Sequence, residues 1–370
     1  MVMLEQRFFD LELLKKPSLE KLAYFKGITV PHRNLKEVLN ELKANILEPA
    51  DTSIFFVFGV TGIGKSTLIK RLQKILLENL LEDLLSNPGQ IGVARVEASS
   101  SSQGKFNHLD YYIQVLEALN EVLINYKVDY GISETESDGS KSLVPAVIKN
   151  TSTLRRAMEK VFINRKLRVF IVDEAQHLFA TAGGHQLLNQ MNWIKSIANF
   201  TKTIHILVGT YELLNCSTIS GQIGRRSQDI HIARYHQLLQ EDVIEYSTVI
   251  QTLQRHLPLL EEPQLETHCE YLLQYSIGCV GMLKSWLVRA LRISLEENAT
   301  TLTLKHLKKA EFSASRRKQI LQEAEAGEKR LQDDESDSPT SLQKQQNTNP
   351  KSQSQGVGNR KSKRDLVGGN

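Results

Sequence analysis

The sequence predicts an α/β fold: a parallel sheet flanked by helices, followed by a small all-helical domain and a disordered C-terminal tail. Three observations predict it. Gly59-Val60-Thr61-Gly62-Ile63-Gly64-Lys65-Ser66 fits the phosphate-cradling pattern G-x-x-x-x-G-K-[ST] directly behind the apolar run Ile54–Phe58. Residues 167–172 read as a strand buried on both faces, with Asp173 and Glu174 arriving where it emerges. Between residues 51 and 236 strand-like and helix-like patterns alternate, which is the order of a parallel sheet with helices on both faces.

Taken in order, residues 1–50 form an N-terminal helical extension. Its residues 35–46 are amphipathic, with Leu35, Val38, Leu39 and Leu42 at helical spacing. The core, residues 51–236, has strands expected at 54–58, 91–96, 169–172, 204–208 and 230–233, and helices at 68–85, 111–122 and 187–198. Residues 130–140 are polar and punctuated by glycine, the composition of a mobile surface insertion. In residues 237–332 strand signals vanish and helical spacing takes over, as in Tyr246, Val249, Ile250 and Leu253, then Leu283, Leu287, Ala290 and Leu291. This segment is a helical lid with a C-terminal helix. Residues 333–370 are rich in Ser, Gln, Asn, Asp and Lys and read as a disordered tail. Its basic end, Arg360-Lys361-Ser362-Lys363-Arg364, is open between a nucleic-acid or partner contact and a simply solvated charge run.

The chemistry follows from two places. Gly59, Gly62 and Gly64 permit a tight turn that aims backbone N–H groups, including that of Ile63, at phosphate oxygens. Lys65 reaches the β- and γ-phosphates, the Ser66 hydroxyl ligates Mg²⁺, and Thr67 begins the following helix at the phosphates. At the second place Asp173 holds the Mg²⁺ shell and Glu174, one residue on, polarises the attacking water. The expectation is a Mg²⁺-dependent nucleoside triphosphatase, with adenine as its base implied only by the resemblance given below. His177 and His185 lack Cys or carboxylate companions at ligand spacing and read as ordinary polar surface.

Composition sets the context. The chain has 370 residues, enough for two compact domains and a tail, and a net charge of +4, a mild lean toward anionic partners. The first residues carry Glu5, Arg7 and Asp10 without an apolar signal core, and no apolar run approaches the roughly 20 residues of a membrane span. A cytoplasmic protein with no membrane partner is expected. The cysteines, Cys216, Cys269 and Cys279, are odd in number and unpaired in spacing, which suggests neither a disulfide framework nor a zinc site.

The acidic strand tip, the further strand running into Gly209-Thr210, the Arg225-Arg226 pair and the all-helical lid together resemble an AAA+ layout. Three segments narrow the resemblance: residues 172–177, residues 192–199 with Lys195-Ser196-Ile197-Ala198-Asn199, and residues 207–214 with Val208-Gly209-Thr210-Tyr211-Glu212-Leu213. Over about residues 30–310 the chain resembles the TnsC/TniB-type ATPases of transposons. The resemblance implies an ATP-dependent regulator of DNA transposition that assembles as a homo-oligomer or filament on double-stranded DNA, without sequence preference. Such a regulator links a TniQ-like target-selection protein to the transposase. It also implies that Thr210 senses the γ-phosphate and that Arg225 or Arg226 is an arginine finger offered to the neighbouring subunit. The resemblance further implies that the loop after the second strand contacts DNA, through Lys105 with Ser102 and Gln103 as uncharged phosphate partners, where the residues alone leave an ordinary solvated connection equally open. Two departures stand out. Gly281 occupies the position where AAA+ lids usually carry Arg, leaving Lys284 as the nearest cation toward the nucleotide, and Thr210 replaces a longer polar amide, which implies slow hydrolysis. No helix-turn-helix, zinc-finger or homeodomain pattern is present to read bases. The shared core motifs leave open an ATPase of a secretion or signalling machine acting on proteins, and a nucleotide-binding scaffold that hardly hydrolyses.

Overall fold

The computed structural model describes residues 7–100, 106–122, 124, 151–179, 184–217 and 226–336. Five strands form one parallel sheet: β1 (Ile54–Phe58), β2 (Val93–Glu97), β3 (Val169–Asp173), β4 (Ile204–Gly209) and β5 (Ser227–His231), in the order β2-β3-β4-β1-β5. All four pairings are parallel, with Phe56 opposite Leu207 on one side of β1 and opposite Asp229 on the other. Every residue of β1 and β3 is buried, which is why both read as unbroken apolar runs. Helix α1 (Ser18–Gly27) precedes the sheet, and α2 (Arg33–Leu47), α3 (Lys65–Asn79), α4 (Leu81–Ser86), α5 (His108–Ala118), α6 (Thr151–Asn164), α7 (Gly184–Thr201) and α8 (Leu214–Ser217) connect and flank the strands. The lid comprises α9 (Gln240–Arg255), α10 (Cys269–Tyr275), α11 (Val280–Glu296) and α12 (Leu304–Lys309), and the long α13 (Ala314–Ser336) follows. Among the described residues no helix is long and apolar enough to cross a membrane.

Several element boundaries differ from the sequence reading, each for a local reason. The helix expected over 68–85 starts at Lys65 and breaks at Leu80, which is buried and leaves the helical conformation at φ −101°, ψ 5°. Helix α5 begins three residues before its first apolar contact because Asn107 caps it, accepting from the N–H groups of Leu109 (3.0 Å) and Asp110 (3.3 Å). Strand β5 is Ser227–His231 rather than 230–233; it lies at the sheet edge, and its polar Ser-Gln-Asp start carries no apolar signal.

The N-terminal helices divide between the two halves. Leu22 and Phe25 of α1, with Val30, join the lid core around Trp286, Leu287 and Tyr246, and the Trp286 indole N–H donates to the Leu307 carbonyl at 2.8 Å. Helix α2 packs on α3 instead. The chain between α1 and α2 therefore runs along the seam of sheet and lid, where Asn34 Nδ2 donates to the Ala233 carbonyl at 2.8 Å and Arg33 pairs with Asp242.

Candidate nucleotide site

Lys65 opens α3, and Gly64 before it holds φ +119°, a left-handed value that only glycine adopts without strain. The turn carries the chain from the carboxyl end of β1 into α3, whose first N–H groups have no intrahelical acceptor and are free for phosphate oxygens. Lys65 is 8% exposed, and its ammonium donates to the carbonyls of Gly59 at 2.8 Å and Val60 at 3.2 Å, inside its own loop. Burial pulls the Lys65 pKa below the ordinary lysine value, while Glu174, Glu323 and Asp173 push it back. Ser66 is exposed beside it, and Thr67 is half-buried.

The tip of β3 supplies the acids. Asp173 is buried, and its carboxylate is held on both oxygens: Arg95 of β2 donates to Oδ2 at 2.5 Å and the Glu174 N–H to Oδ1 at 3.0 Å. Glu174 has φ +51°, ψ 36°, an unusual conformation for a residue with a Cβ, and leads into a short 3₁₀ turn, Ala175–Leu178. On that turn the Gln176 side chain bridges two strands. Its Nε2 donates to Glu174 Oε2 at 2.6 Å, and its Oε1 accepts from the Thr210 N–H at 3.3 Å. Gly209 gives Gln176 its room, because a Cβ there would overlap the side-chain oxygen Oε1 of Gln176. The Thr210 hydroxyl is enclosed and finds no partner among the described residues.

Above the loop lies a cleft of about 680 Å³ between residues 26–32, the P-loop and the start of α11, lined by Ile28, Val30, His32, Ile63, Thr67 and Val280 among others. Lid and loop touch closely: a Cβ on Gly281 would overlap the Gly62 carbonyl, and one on Gly62 would lie 2.8 Å from Met282 Cγ. His32 is buried, its Nδ1 is 3.1 Å from the Tyr235 hydroxyl, and burial drives its pKa down to about 4, so the ring is neutral at physiological pH.

Residues 50–216 match the model of the AAA domain family. They are an AAA-type P-loop ATPase domain. The ORC2 protein of Aeropyrum pernix in its ADP form is similar at 14% identity over 78% of this chain and 71% of that chain, with a TM-score of 0.50. Also similar are the Aeropyrum pernix ORC1 protein in complex with DNA (15% identity, 83% and 69% covered, TM-score 0.47) and the Thermotoga maritima RuvB Holliday junction branch migration motor (14% identity, 80% and 72% covered, TM-score 0.39). At such identities the ORC2 likeness shows the AAA+ fold and nothing about activity. Comparison with curated proteins gives no match.

Within this AAA domain and its lid, the structure separates the residues singled out in the sequence. The loop residues Gly59 to Thr67 surround the start of α3, and Asp173, Glu174 and Thr210 stand at the neighbouring carboxyl ends of β3 and β4. Lys284 lines the cleft, but its ammonium donates to the Ile28 carbonyl and sits 5.3 Å from the centre of the Phe25 ring. Burial lowers its pKa to about 8. The sequence set this cation toward the nucleotide; its hydrogen bonds put it at the junction of lid and α1. Arg226 lies at the other end of the sheet, its carbonyl accepting from the Ile54 N–H at 3.2 Å and its guanidinium donating to Asn199 at 2.9 Å. Four residue steps of β1, about 13 Å, separate that edge from the P-loop. Arg225, Ser102, Gln103 and Lys105 lie outside the described residues.

Three features of the site were missed by sequence reasoning. Gln176 could have been noticed as an amide two residues past an acidic strand tip. The lining at Ile28, Val30 and His32 had no sequence signal, because it forms only when α1 docks on the lid. The third is Glu323 on α13, which acts on Lys65 although it follows the lid in sequence. One of its oxygens is enclosed without a partner among the described residues, and burial raises its pKa while Lys65 opposes the rise.

The donors fit Mg²⁺. Ser66 offers a hydroxyl, and Asp173 offers a carboxylate that Arg95 orients while lone pairs remain on both oxygens. Two hard oxygen ligands completed by phosphate and water is the usual protein share for this ion.

Proposed function

We propose that this chain is an ATP-dependent, DNA-binding regulator of transposition that forms a homo-oligomer or filament on duplex DNA and links a TniQ-like target-selection protein to a transposase. The observation that carries the oligomeric part is the position of Arg226. An arginine at the amino edge of β5 is a β-strand's length from its own P-loop, so as a finger it serves the site of the next copy. Hydrolysis is then a property of the interface, and assembly and turnover are coupled.

In this reading ATP places its base in the cleft beside Ile28, Val30 and His32, and its phosphates on the loop at Lys65. Mg²⁺, held by Ser66 and Asp173, neutralises phosphate charge when bound. Glu174 takes a proton from the attacking water as the bond between the γ-phosphorus and the ADP oxygen breaks, giving ADP and phosphate. Gln176 holds Glu174 toward that water and ties it to Thr210, whose unpartnered hydroxyl is available to the γ-phosphate. The short threonine side chain supports slow turnover, so that the assembly persists on DNA until hydrolysis resets it.

The transposition part rests on the resemblance in residues 192–199 and 207–214. These segments are structural in part: Ser196 accepts from Arg155 at 3.0 Å and Asn199 from Arg226, so the second joins α7 to the proposed finger. The test is fluorescence anisotropy of a labelled random-sequence duplex with a non-hydrolysable ATP analogue, with ADP and without nucleotide, at two salt concentrations. Salt-sensitive binding confined to the analogue is expected. Absence of binding in all three states would overturn the DNA reading in favour of an ATPase acting on protein partners.

A further inference from the structure

Residues 289–318 carry eight Lys or Arg against three Glu and no Asp, a local excess larger than the whole chain's net charge of +4. The structure concentrates part of it. The Arg289 guanidinium on α11 lies 3.8 Å from the centre of the Phe312 ring, and that of Arg316 on α13 lies 5.3 Å from the same ring. Arg292 lies one turn along α11 from Arg289: burial, then Arg316, then Arg292 push the Arg289 pKa down, and no carboxylate opposes them. Nε and Nη2 of Arg289 are enclosed without an acceptor among the described residues.

The nearby acids are already engaged. Glu311 accepts from Arg317 at 3.1 Å and from the Tyr271 hydroxyl, and Arg317 also donates to the Phe312 carbonyl at 2.7 Å. Glu296 forms only a wide, exposed pair with Arg292 at 3.7 Å. Two guanidiniums thus share one aromatic ring, with Arg292 one turn along α11 from the first, and among the described residues no carboxylate pairs with Arg289 or Arg316; such an arrangement repels itself unless an anion completes it. Stacking on Phe312 restricts Arg289 and Arg316, so less side-chain freedom is lost on meeting a ligand than with mobile surface lysines.

We propose that Arg289, Arg292 and Arg316 form a phosphate-binding surface on the lid that contacts the backbone of duplex DNA. The proposal rests on the DNA reading above and adds a surface to it, distinct from the loop at residues 102–105. Guanidinium forks match phosphate oxygens, the contact reads no base, and repetition of the lid along an oligomer would set such clusters at intervals along the duplex. It also makes the lid a place where nucleotide and DNA meet, because the same α11 sets Gly281, its second residue, against the P-loop.

The test uses the full chain with the non-hydrolysable ATP analogue and the same labelled duplex. Arg292 and Arg316 are exposed, so Arg292→Gln combined with Arg316→Gln leaves the fold intact, which thermal melting checks. Loss of two phosphate contacts lowers the slope of log affinity against log salt by about 1.8 and weakens DNA binding by at least roughly tenfold at low salt. Nucleotide affinity stays unchanged. Arg168→Gln, which removes an exposed arginine paired with Asp83 at the amino edge of β3, leaves DNA affinity and slope as in the unsubstituted chain. If the unsubstituted chain binds DNA and the double variant binds it with the same affinity and slope, the lid surface is wrong while the DNA reading stands. If the unsubstituted chain binds no DNA in any nucleotide state, both fall.

Discussion

Replacing Gln176 by Glu isolates the tether on Glu174. The variant keeps an oxygen to accept the Thr210 N–H, so the bridge to β4 survives, but it exchanges the amide donor 2.6 Å from Glu174 for a second acid. Two carboxylates at that separation do not both ionise; they share a proton, and the shared proton is the one the base must be free to take. A hydrogen bond to a charged group contributes about 1.5–3 kcal/mol, and each 1.4 kcal/mol is tenfold in rate. Turnover is therefore expected to fall by about 10- to 100-fold, with the acid limb of the kcat profile moved to higher pH. Nucleotide affinity should change by less than about twofold, since Lys65 and the cleft are untouched. Steady-state phosphate release between pH 6 and 9, with binding of a fluorescent ATP analogue measured in parallel, reads both quantities. A purely structural bridge predicts the opposite pattern, with kcat and its pH profile preserved in Gln176→Glu. That result would refute the tether.

Two further outcomes follow from burial. His32 and His205 are both pushed down to about 4 by burial, against an ordinary value near 6.5, so the unfolded chain binds protons that the folded chain refuses as pH falls from 6.5 to 4. Stability is full above that window and is lost on descending through it, by about 2 kcal/mol per histidine at pH 5. Urea midpoints at pH 7 and pH 5 measure the loss, and His205→Gln should show a shallower dependence; an equal dependence would acquit His205. Gly281→Ala sets a methyl against the Gly62 carbonyl, so either the P-loop shifts or the lid lifts. Overpacking of this kind costs about 1–3 kcal/mol, and weakened ATP binding by roughly tenfold with a lowered melting temperature is expected; unchanged affinity would mean that lid and loop part freely.

What was legible in the sequence is what chemistry requires to be contiguous. A phosphate loop needs its glycines, lysine and hydroxyl within eight residues because one turn must present them together, and an acidic strand tip needs its carboxylates adjacent. Buried strands announced themselves for the same reason, since both faces of β1 and β3 are covered. Strand β5 announced only its apolar end near Ile230 and not its start, because an edge strand with one partner tolerates Ser227, Gln228 and Asp229. The second half of the site is made of pairings between distant positions: Gln176 with Thr210 across two strand tips, and Lys284 with Ile28 across the whole AAA domain. Spacing along the chain carries no record of these.

The Lys284 pairing explains why the cleft could not be foreseen and what it does. Helix α1 is N-terminal to the P-loop yet packs in the lid core, so residues 28–32 belong mechanically to the lid while lining the cleft over the loop. An ATP base inserted between these residues and Ile63 would add a bridge between two bodies that already touch at the close contact of Gly62 with Gly281 and Met282. Nucleotide occupancy then biases the lid angle through packing on one side and phosphate contact on the other. A lid so biased carries the Arg289, Arg292 and Arg316 cluster with it. Nucleotide-dependent presentation of a phosphate-binding face thus needs no long relay, only the single helix α11, which touches the P-loop at its start, bears Arg289 and Arg292 two to three turns later and meets Arg316 of α13 through the Phe312 ring.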